Sequence, residues 1–330
     1  MQFRKLGHTD MDVSTVAFGC WAIVGGFTWG DQDGADSLAA LRAAFDAGVN
    51  FFDTAEGYGG GASEQLLGRA LGDVRDEIVI ASKASRSHHR PADLRDACER
   101  SLGNLGTDRI DLYQLHWPNW DVPFEDTLGT LDELKTEGKI LSYGVSNFGP
   151  RDLSDLLATG RAIESNQVAY NLLFRAIEHE IQPICAREGI GILCYSPMMQ
   201  GLLTGKFASP ADVPADRART RHYSSERPEA RHGDPGAEVE TFAAVQAVRE
   251  IAEGLGEPMA NVSLAWLLAQ EAVTCVIAGG RNAEQAKANT AAADLVLPQD
   301  AIGRLTEATE ALKQTLGPNA DMWQSESRIR

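Results

Sequence analysis

Four side chains of complementary chemistry stand where apolar runs of this sequence stop. Asp53 ends the run Val49-Asn50-Phe51-Phe52, which follows a helical pattern that halts at Gly48. Tyr58 comes next, in the glycine-flanked turn Gly57-Tyr58-Gly59. Lys83 ends Ile78-Val79-Ile80-Ala81-Ser82, and His116 ends Ile110-Asp111-Leu112-Tyr113-Gln114-Leu115. A carboxylate at a buried strand end is costly unless a cation pairs with it, and Lys83 and His116 are the candidates at equivalent positions. Taken singly, each residue has a plainer reading: Asp53 and Lys83 as a structural ion pair, His116 as a core histidine, Tyr58 as a surface aromatic. Facing one space, they make a proton-transfer device. A phenol has an ordinary pKa near 10 and is a poor acid at neutral pH. An adjacent ammonium is expected to lower that value, with Asp53 holding Lys83 charged and oriented. A histidine on the next strand can orient a carbonyl oxygen.

The elements that must position these groups alternate along the chain. Strand candidates occupy 16–21, 49–54, 78–83, 110–116, 140–146, 163–168, 190–195 and 274–277. Between them, apolar residues at helical spacing predict helices over 35–47, 63–71, 91–105, 123–137, 150–158, 177–187, 238–255, 258–269 and 283–293, with one more over 298–316. The opening, around Gly7-His8-Thr9-Asp10, reads as an N-terminal hairpin. Eight strands, each followed by a helix, predict one (β/α)8 barrel domain over 1–330, with extra C-terminal helices. A doubly wound sheet with an appended domain is the alternative. Barrels of this kind carry their sites at the C-terminal strand ends. Asp53, Lys83, His116, Asn147, Gln167 and Tyr195 all fall there.

Composition narrows the function further. The chain has 330 residues, 43% hydrophobic, with a formal net charge of −17. Such acidity argues against nucleic acid or an anionic membrane as the main partner. No apolar run is long enough to span a bilayer, and the opening residues lack the apolar core of a secretory signal. Five widely spaced cysteines, Cys20, Cys98, Cys185, Cys194 and Cys275, read as buried free thiols in a reducing compartment, hence a cytoplasmic setting. The seven histidines form no zinc-hydrolase motif, so no metal is expected.

Gly57-Tyr58-Gly59-Gly60-Gly61-Ala62 satisfies a GxGxxA pattern between a strand and a helix. The dinucleotide fingerprint would put an acidic residue at the end of the next strand to hold a ribose. Lys83 stands there instead, so the stretch reads as a flexible loop presenting Tyr58.

Asp53-Thr54-Ala55 with Tyr58-Gly59, the strand-end Ser82-Lys83, and Leu112-Tyr113-Gln114-Leu115-His116-Trp117-Pro118 resemble signatures of the aldo-keto reductase superfamily. So do Gly144-Val145-Ser146-Asn147-Phe148, Gln167-Val168-Ala169-Tyr170-Asn171 and Tyr195-Ser196-Pro197. The resemblance runs in order over nearly the whole chain and is nearest to the bacterial branch related to potassium-channel β subunits and inositol-operon reductases. It implies a (β/α)8 barrel with NADPH lying across the mouth. Tyr58 is then proton donor, Asp53 and Lys83 its tuners, and His116 the carbonyl orienter. Ser146, Asn147 and Gln167 would hold the nicotinamide amide, with Tyr195 stacked on its ring and Trp21, Asp53 and Ser196 nearby. The stretch from Gly201 and Leu202 to Lys206 resembles the loop that holds the pyrophosphate. Gly279, Gly280, Arg281, Gln285 and Asn289 resemble the adenosine site. Within that site Arg281 is the expected partner of a 2′-phosphate, or else pairs with Glu284.

The irregular segment 199–236 matches the family only at its start. Its Arg217, Arg219, Arg221 and His222 read either as a lid over the cofactor or as a solvated loop. Trp21, Phe27, Trp29, Trp117 and Trp120 are expected to form an aromatic substrate wall. The 317–330 tail, with Met322-Trp323, either folds back on the mouth or frays. The implied activity is NADPH-dependent reduction of a small-molecule aldehyde or ketone to an alcohol. The alternatives are an NADPH-binding redox-sensing or partner-subunit module with low turnover and, more remotely, a sugar-phosphate isomerase or a hydrolase on the same barrel.

Overall fold

The computed structural model describes residues 1–26 and 28–330. Two short strands, β1 (Phe3–Lys5) and β2 (Asp12–Ser14), pair antiparallel as a hairpin. Eight parallel strands follow: β3 (Val16–Gly19), β4 (Phe51–Asp53), β5 (Val79–Ala84), β6 (Ile110–Leu115), β7 (Ile140–Ser146), β8 (Ser165–Ala169), β9 (Gly191–Tyr195) and β10 (Val273–Ala278). They close into a barrel in chain order, β10 returning to β3.

The strands read as continuous apolar runs because both faces are buried, yet the two faces differ. Outward residues such as Phe18, Phe52, Ile80, Tyr113 and Val145 pack in the large core under the helices. Inward residues Ala17, Phe51, Ala81, Leu112, Leu193 and Cys275 join Leu6 and Val13 of the hairpin in a separate, smaller core that fills the barrel floor. A strand has a side-chain period of two. The residue two places beyond each floor residue therefore also points inward, one layer higher. Those residues are Gly19, Asp53, Lys83, Gln114, Tyr195 and Ile277. Strand geometry thus sets Asp53, Lys83, Gln114 and Tyr195 in a layer on an apolar plug, with Ile277 still packed in the plug.

The helical ring comprises α1 (Gly34–Asp46), α2 (Ala62–Leu71), α3 (Pro91–Leu105), α4 (Phe124–Thr136), α5 (Pro150–Leu157), α6 (Ile181–Glu188), α7 (Glu238–Leu255), α8 (Met259–Leu268) and α9 (Ala283–Thr290). Local chemistry fixes several ends. Asp33 caps α1, its Oδ1 accepting from the Ala35 and Asp36 amides at 2.6 and 3.3 Å. Pro91 opens α3, and α3, α6 and α7 stop at left-handed glycines. No helix of the described residues is long and apolar enough to cross a membrane.

Two expectations change. The single helix over 298–316 is two, α10 (Gln299–Ala308) and α11 (Glu310–Leu316), broken at the fully buried Thr309. Arg175 packs against the break: its guanidinium donates to the Thr306 carbonyl at 2.8 Å and to the Thr309 hydroxyl at 3.1 Å. The helix over 177–187 begins later, at Ile181, after a separate 3₁₀ turn.

Two of the four side chains in segment 199–236 fit neither the lid nor the solvated-loop reading, because Arg221 and His222 are buried. Arg221 is a staple: it pairs with Asp234 at 2.5 Å and donates to the Asn319 and Leu316 carbonyls. His222 is fully buried, bonded to the Leu173 carbonyl at 2.8 Å. Arg217 and Arg219 instead face the cavity at the barrel mouth. The tail folds back on the mouth. Asp321, fully buried, accepts from Arg328 at 2.7 Å, and Arg328 lies 4.0 Å over the Trp117 ring. Arg330 joins Asp152 and covers Trp120.

Candidate active site

The C-terminal strand ends surround a cavity of about 800 Å³. Its floor is one hydrogen-bonded chain. Lys83 Nζ donates to Asp53 Oδ1 at 2.6 Å, to the Thr54 carbonyl at 2.7 Å and to the Tyr58 hydroxyl at 3.4 Å. Lys83 is wholly buried and Asp53 nearly so. The second Asp53 oxygen accepts from Gln167 at 2.7 Å and from Gln114 at 3.3 Å. Three donors on the two carboxylate oxygens are what make the buried pair tolerable. Gln114 escaped the sequence reading. Its signal was there, a polar side chain at an inward position of an apolar strand.

The Tyr58 hydroxyl opens on the cavity with His116 edge-on to its ring at 5.8 Å and Trp21 near-parallel at 6.0 Å. Burial raises the Tyr58 pKa; the Lys83 ammonium opposes this but does not overcome it. The expected lowering of the phenol is thus corrected: Tyr58 is held as a phenol. Burial pushes the Lys83 ammonium down, but Asp53 and Tyr58 more than restore it, so its pKa is raised. Burial, helped by the charge of Lys83, lowers His116 to about 3. His116 is a neutral imidazole beside a protonated phenol.

A second cluster lies above the floor. Tyr195 donates to Asn147 Oδ1 at 2.9 Å, Asn147 Nδ2 donates to the His116 carbonyl at 3.1 Å, and Ser146 Oγ donates to the Gln167 carbonyl at 3.0 Å. Five described non-glycine residues have left-handed backbone. Asn147 (φ 63°), Ser196 (50°), Met199 (43°) and Gln200 (52°) sit at the mouth, whereas Ala272 precedes β10 at the far end.

The cavity is also lined by Trp21, Ser196, Gly201, Lys206, Gly279, Arg281, Gln285 and Asn289. Two expected residues stand back from it. Leu202 is packed in the core, and Gly280 is a helix-packing position, where a Cβ would meet the Ala286 amide at 2.9 Å. Arg281 does not pair with Glu284. Its Nε donates to Gln32 Oε1 at 2.7 Å, its guanidinium also reaches the Asp31 carbonyl, and Gln32 returns a bond to the Arg281 carbonyl at 2.8 Å. Of the expected aromatic wall, Trp21, Trp29 and Trp117 line the cavity and Trp120 does not, while Phe27 lies outside the described residues. Trp323, Gln324 and Arg328 of the tail complete the wall. Among the described residues no group of three or more histidine, cysteine or acidic side chains is arranged to hold a metal ion.

Comparison with known proteins agrees with this architecture. The model of the Aldo/keto reductase family matches residues 15–310. The aldo-keto reductase YhdN of Bacillus subtilis is 32% identical over 303 residues, covering 87% of each chain. The NADH-specific methylglyoxal reductase of Escherichia coli is 30% identical, covering 95% of this chain and all of its own. A crystal structure of an aldo-keto reductase from Klebsiella pneumoniae in complex with NADPH superposes with a TM-score of 0.72 at 27% identity, covering 100% of this chain and 98% of that one. A barrel with its polar layer over an apolar floor, matched along nearly its whole length by these proteins, makes this chain a member of the aldo/keto reductase family and an NAD(P)H-dependent carbonyl oxidoreductase.

Proposed function

We propose that the protein reduces an aldehyde or ketone to an alcohol with NADPH, and that Tyr58 delivers the proton. The observation that carries this reading is the unbroken chain Asp53–Lys83–Tyr58 ending at a cavity, opposite a neutral His116.

The residues around the groove fit a dinucleotide. Both amide atoms of the Gln200 side chain are buried in the groove wall without a partner. Buried polar groups are rarely left so unless something else meets them. Gly201 presents bare backbone beside Lys206, where a Cβ would stand 2.7 Å from the lysine Cε. Gly279 likewise leaves room that a Cβ would close against the Gly19 carbonyl, at 2.9 Å. Lys206 and Arg217 sit by Gly201 and suit a diphosphate. Ser146, Asn147 and Gln167, locked to one another and to Asp53, suit a carboxamide, and Tyr195 suits the ring beside it. For NADPH over NADH the support is Arg281, whose guanidinium is held in the groove by Gln32 and whose fork matches a phosphate.

A bound nicotinamide supplies the hydride that the carbonyl carbon accepts. The chain's own residues handle the oxygen. His116, neutral, binds the carbonyl oxygen and turns it toward Tyr58. Tyr58 gives its proton to that oxygen as negative charge develops there. An alkoxide is far more basic than a phenolate, so a phenol with a raised pKa still donates downhill. Lys83, at 3.4 Å, stabilises the phenolate left behind, and Asp53 fixes the lysine. A panel of aldehydes, followed by NADPH absorbance with wild-type protein and Tyr58→Phe, tests the reading. Turnover by the wild type and its loss in the variant are expected; undiminished turnover in Tyr58→Phe refutes the assignment of the donor.

A further inference from the structure

The charges that line the cavity are out of keeping with the rest of the chain. The protein carries 47 acidic and 30 basic residues. Among the described residues the lining has one carboxylate, Asp53, already bound to Lys83, against Lys206, Arg217, Arg219, Arg231, Arg281 and Arg328. Arg328 is neutralised by Asp321 at 2.7 Å. On the reading above, Lys206, Arg217 and Arg281 meet the phosphates of the cofactor. Arg219 and Arg231 remain, and among the described residues no acidic group lies within 4.0 Å of either.

Arg219 is 7% exposed. One end of its guanidinium donates to Thr28 Oγ1 at 2.9 Å, its plane lies 5.0 Å over the Trp323 ring, and its Nε is buried without a partner. Asp216 and Glu229 are near enough to feel its charge but too far to neutralise it. A desolvated guanidinium with donors to spare is an anion site waiting to be filled. Its place in the wall is on the substrate side. Thr28 adjoins Trp29, which packs edge-on to Trp21 at 5.5 Å, and Trp21 lies against Tyr58 at 6.0 Å. From Tyr58 outward the wall is therefore aromatic and then cationic.

We infer that the physiological substrate is an anionic carbonyl compound, its carboxylate or phosphate received by Arg219 with Arg231 at the rim, and its apolar body held between Trp21, Trp29 and Trp323. The inference rests on the carbonyl-reductase reading and deepens it. Arg219 acts on specificity, and the excess of cations also draws anions into the cleft.

Two matched probe pairs test it: para-carboxybenzaldehyde against para-tolualdehyde, and glyceraldehyde phosphate against glyceraldehyde. The wild type should prefer the anionic member of at least one pair by about ten- to a hundredfold in kcat/KM, the range of one charge-assisted contact. The responding pair tells carboxylate from phosphate. Arg219→Met should abolish the preference through KM, Arg219→Lys should restore part of it, and Arg231→Ala, at an exposed position, should weaken it without endangering the fold. Added salt should erode turnover of the anionic member alone. No preference in either pair overturns the inference. So does an Arg219→Met variant that loses NADPH affinity and neutral-aldehyde turnover in step, since Arg219 would then serve the cofactor. If no aldehyde turns over, the carbonyl-reductase reading fails first. Calorimetric binding of para-toluate and propyl phosphate to the NADPH-loaded protein then decides the anion site, and equal affinity in wild type and Arg219→Met overturns it.

Discussion

Replacing Lys83 by methionine removes an ammonium and leaves most of its stem in place. Lys83 and Asp53 are both in the barrel interior, 2.6 Å apart. Deleting one member of such a pair strands the other, at a cost of about 3–5 kcal/mol. A chain of 330 residues unfolds with an entropy of about 2.1 cal/mol/K per residue, so this loss lowers the melting temperature by about 4–7 °C. Asp53→Asn keeps the shape, and its side-chain oxygen can still accept from Gln167 and Gln114. The double variant Asp53→Asn with Lys83→Met removes both charges and should melt closer to the wild type than Lys83→Met does. It should nevertheless stay catalytically impaired, since nothing then stabilises a Tyr58 phenolate. Thermal melts of the four proteins of the cycle, with aldehyde reduction measured on each, separate the structural from the chemical role of the lysine. If the double variant is as unstable as the sum of the singles, the two charges do not act as a pair and the reasoning fails.

Tyr58→Phe should lower carbonyl reduction by roughly 10²- to 10⁴-fold, the span of general acid catalysis, with the NADPH dissociation constant nearly unchanged; fluorescence titration and steady-state rates read the two. Arg281→Ala should weaken NADPH by about ten- to a hundredfold and NADH less, whereas equal weakening would make Arg281 an adenine or loop contact. His116, with a pKa of about 3, should add no step near pH 6.5 to the rate profile, so a step there that vanishes in His116→Gln contradicts its assignment as neutral. His116, His89 and His222 are all buried with folded pKa values of about 3 to 4, below the ordinary 6.5. Below pH 6.5 the unfolded chain takes up protons that the folded chain refuses, so their stabilising contribution is present above that pH and should fall steadily as pH drops toward 4; denaturant midpoints across that range measure it.

The barrel and its floor were readable because periodicity and strand-end chemistry reinforce each other. Ile140 to Ser146 and Pro91 to Leu105 begin and end where pattern and punctuation say. Asp53, Lys83 and His116 were visible because ionisable groups are conspicuous where apolar runs stop. Thr54 was harder to see, since it acts through a backbone carbonyl that leaves no mark in composition, and the inward Gln114 is a weaker contrast against its apolar strand than a charge would be. The helix break at Thr309 is met by a guanidinium 134 residues away along the chain, which no local window contains. For the same reason Arg221 and His222 could not be told from Arg217 and Arg219: all four lie in one polar stretch, and only tertiary contacts divide staples from wall. Tyr58 teaches a separate lesson. The sign of its shift turned on the depth of burial against the nearness of an ammonium, and sequence specifies neither.

The left-handed backbones of Asn147, Ser196, Met199 and Gln200 each carry about 1–2 kcal/mol that a glycine would not. That cost is concentrated at the mouth, away from the tightly filled floor. A laboratory lineage selected only for heat tolerance would find gains by exchange to glycine at Ser196 and Gln200, since the buried Met199 and the hydrogen-bonded Asn147 would lose more in packing and hydrogen bonds than the strain returns. It would surrender the Gln200 side chain in doing so. A lineage selected for turnover would keep it and seek its thermal margin in the outer helices. Durability and catalysis therefore compete for the same short stretch of main chain, and the order in which the two pressures are applied should decide which sequence emerges.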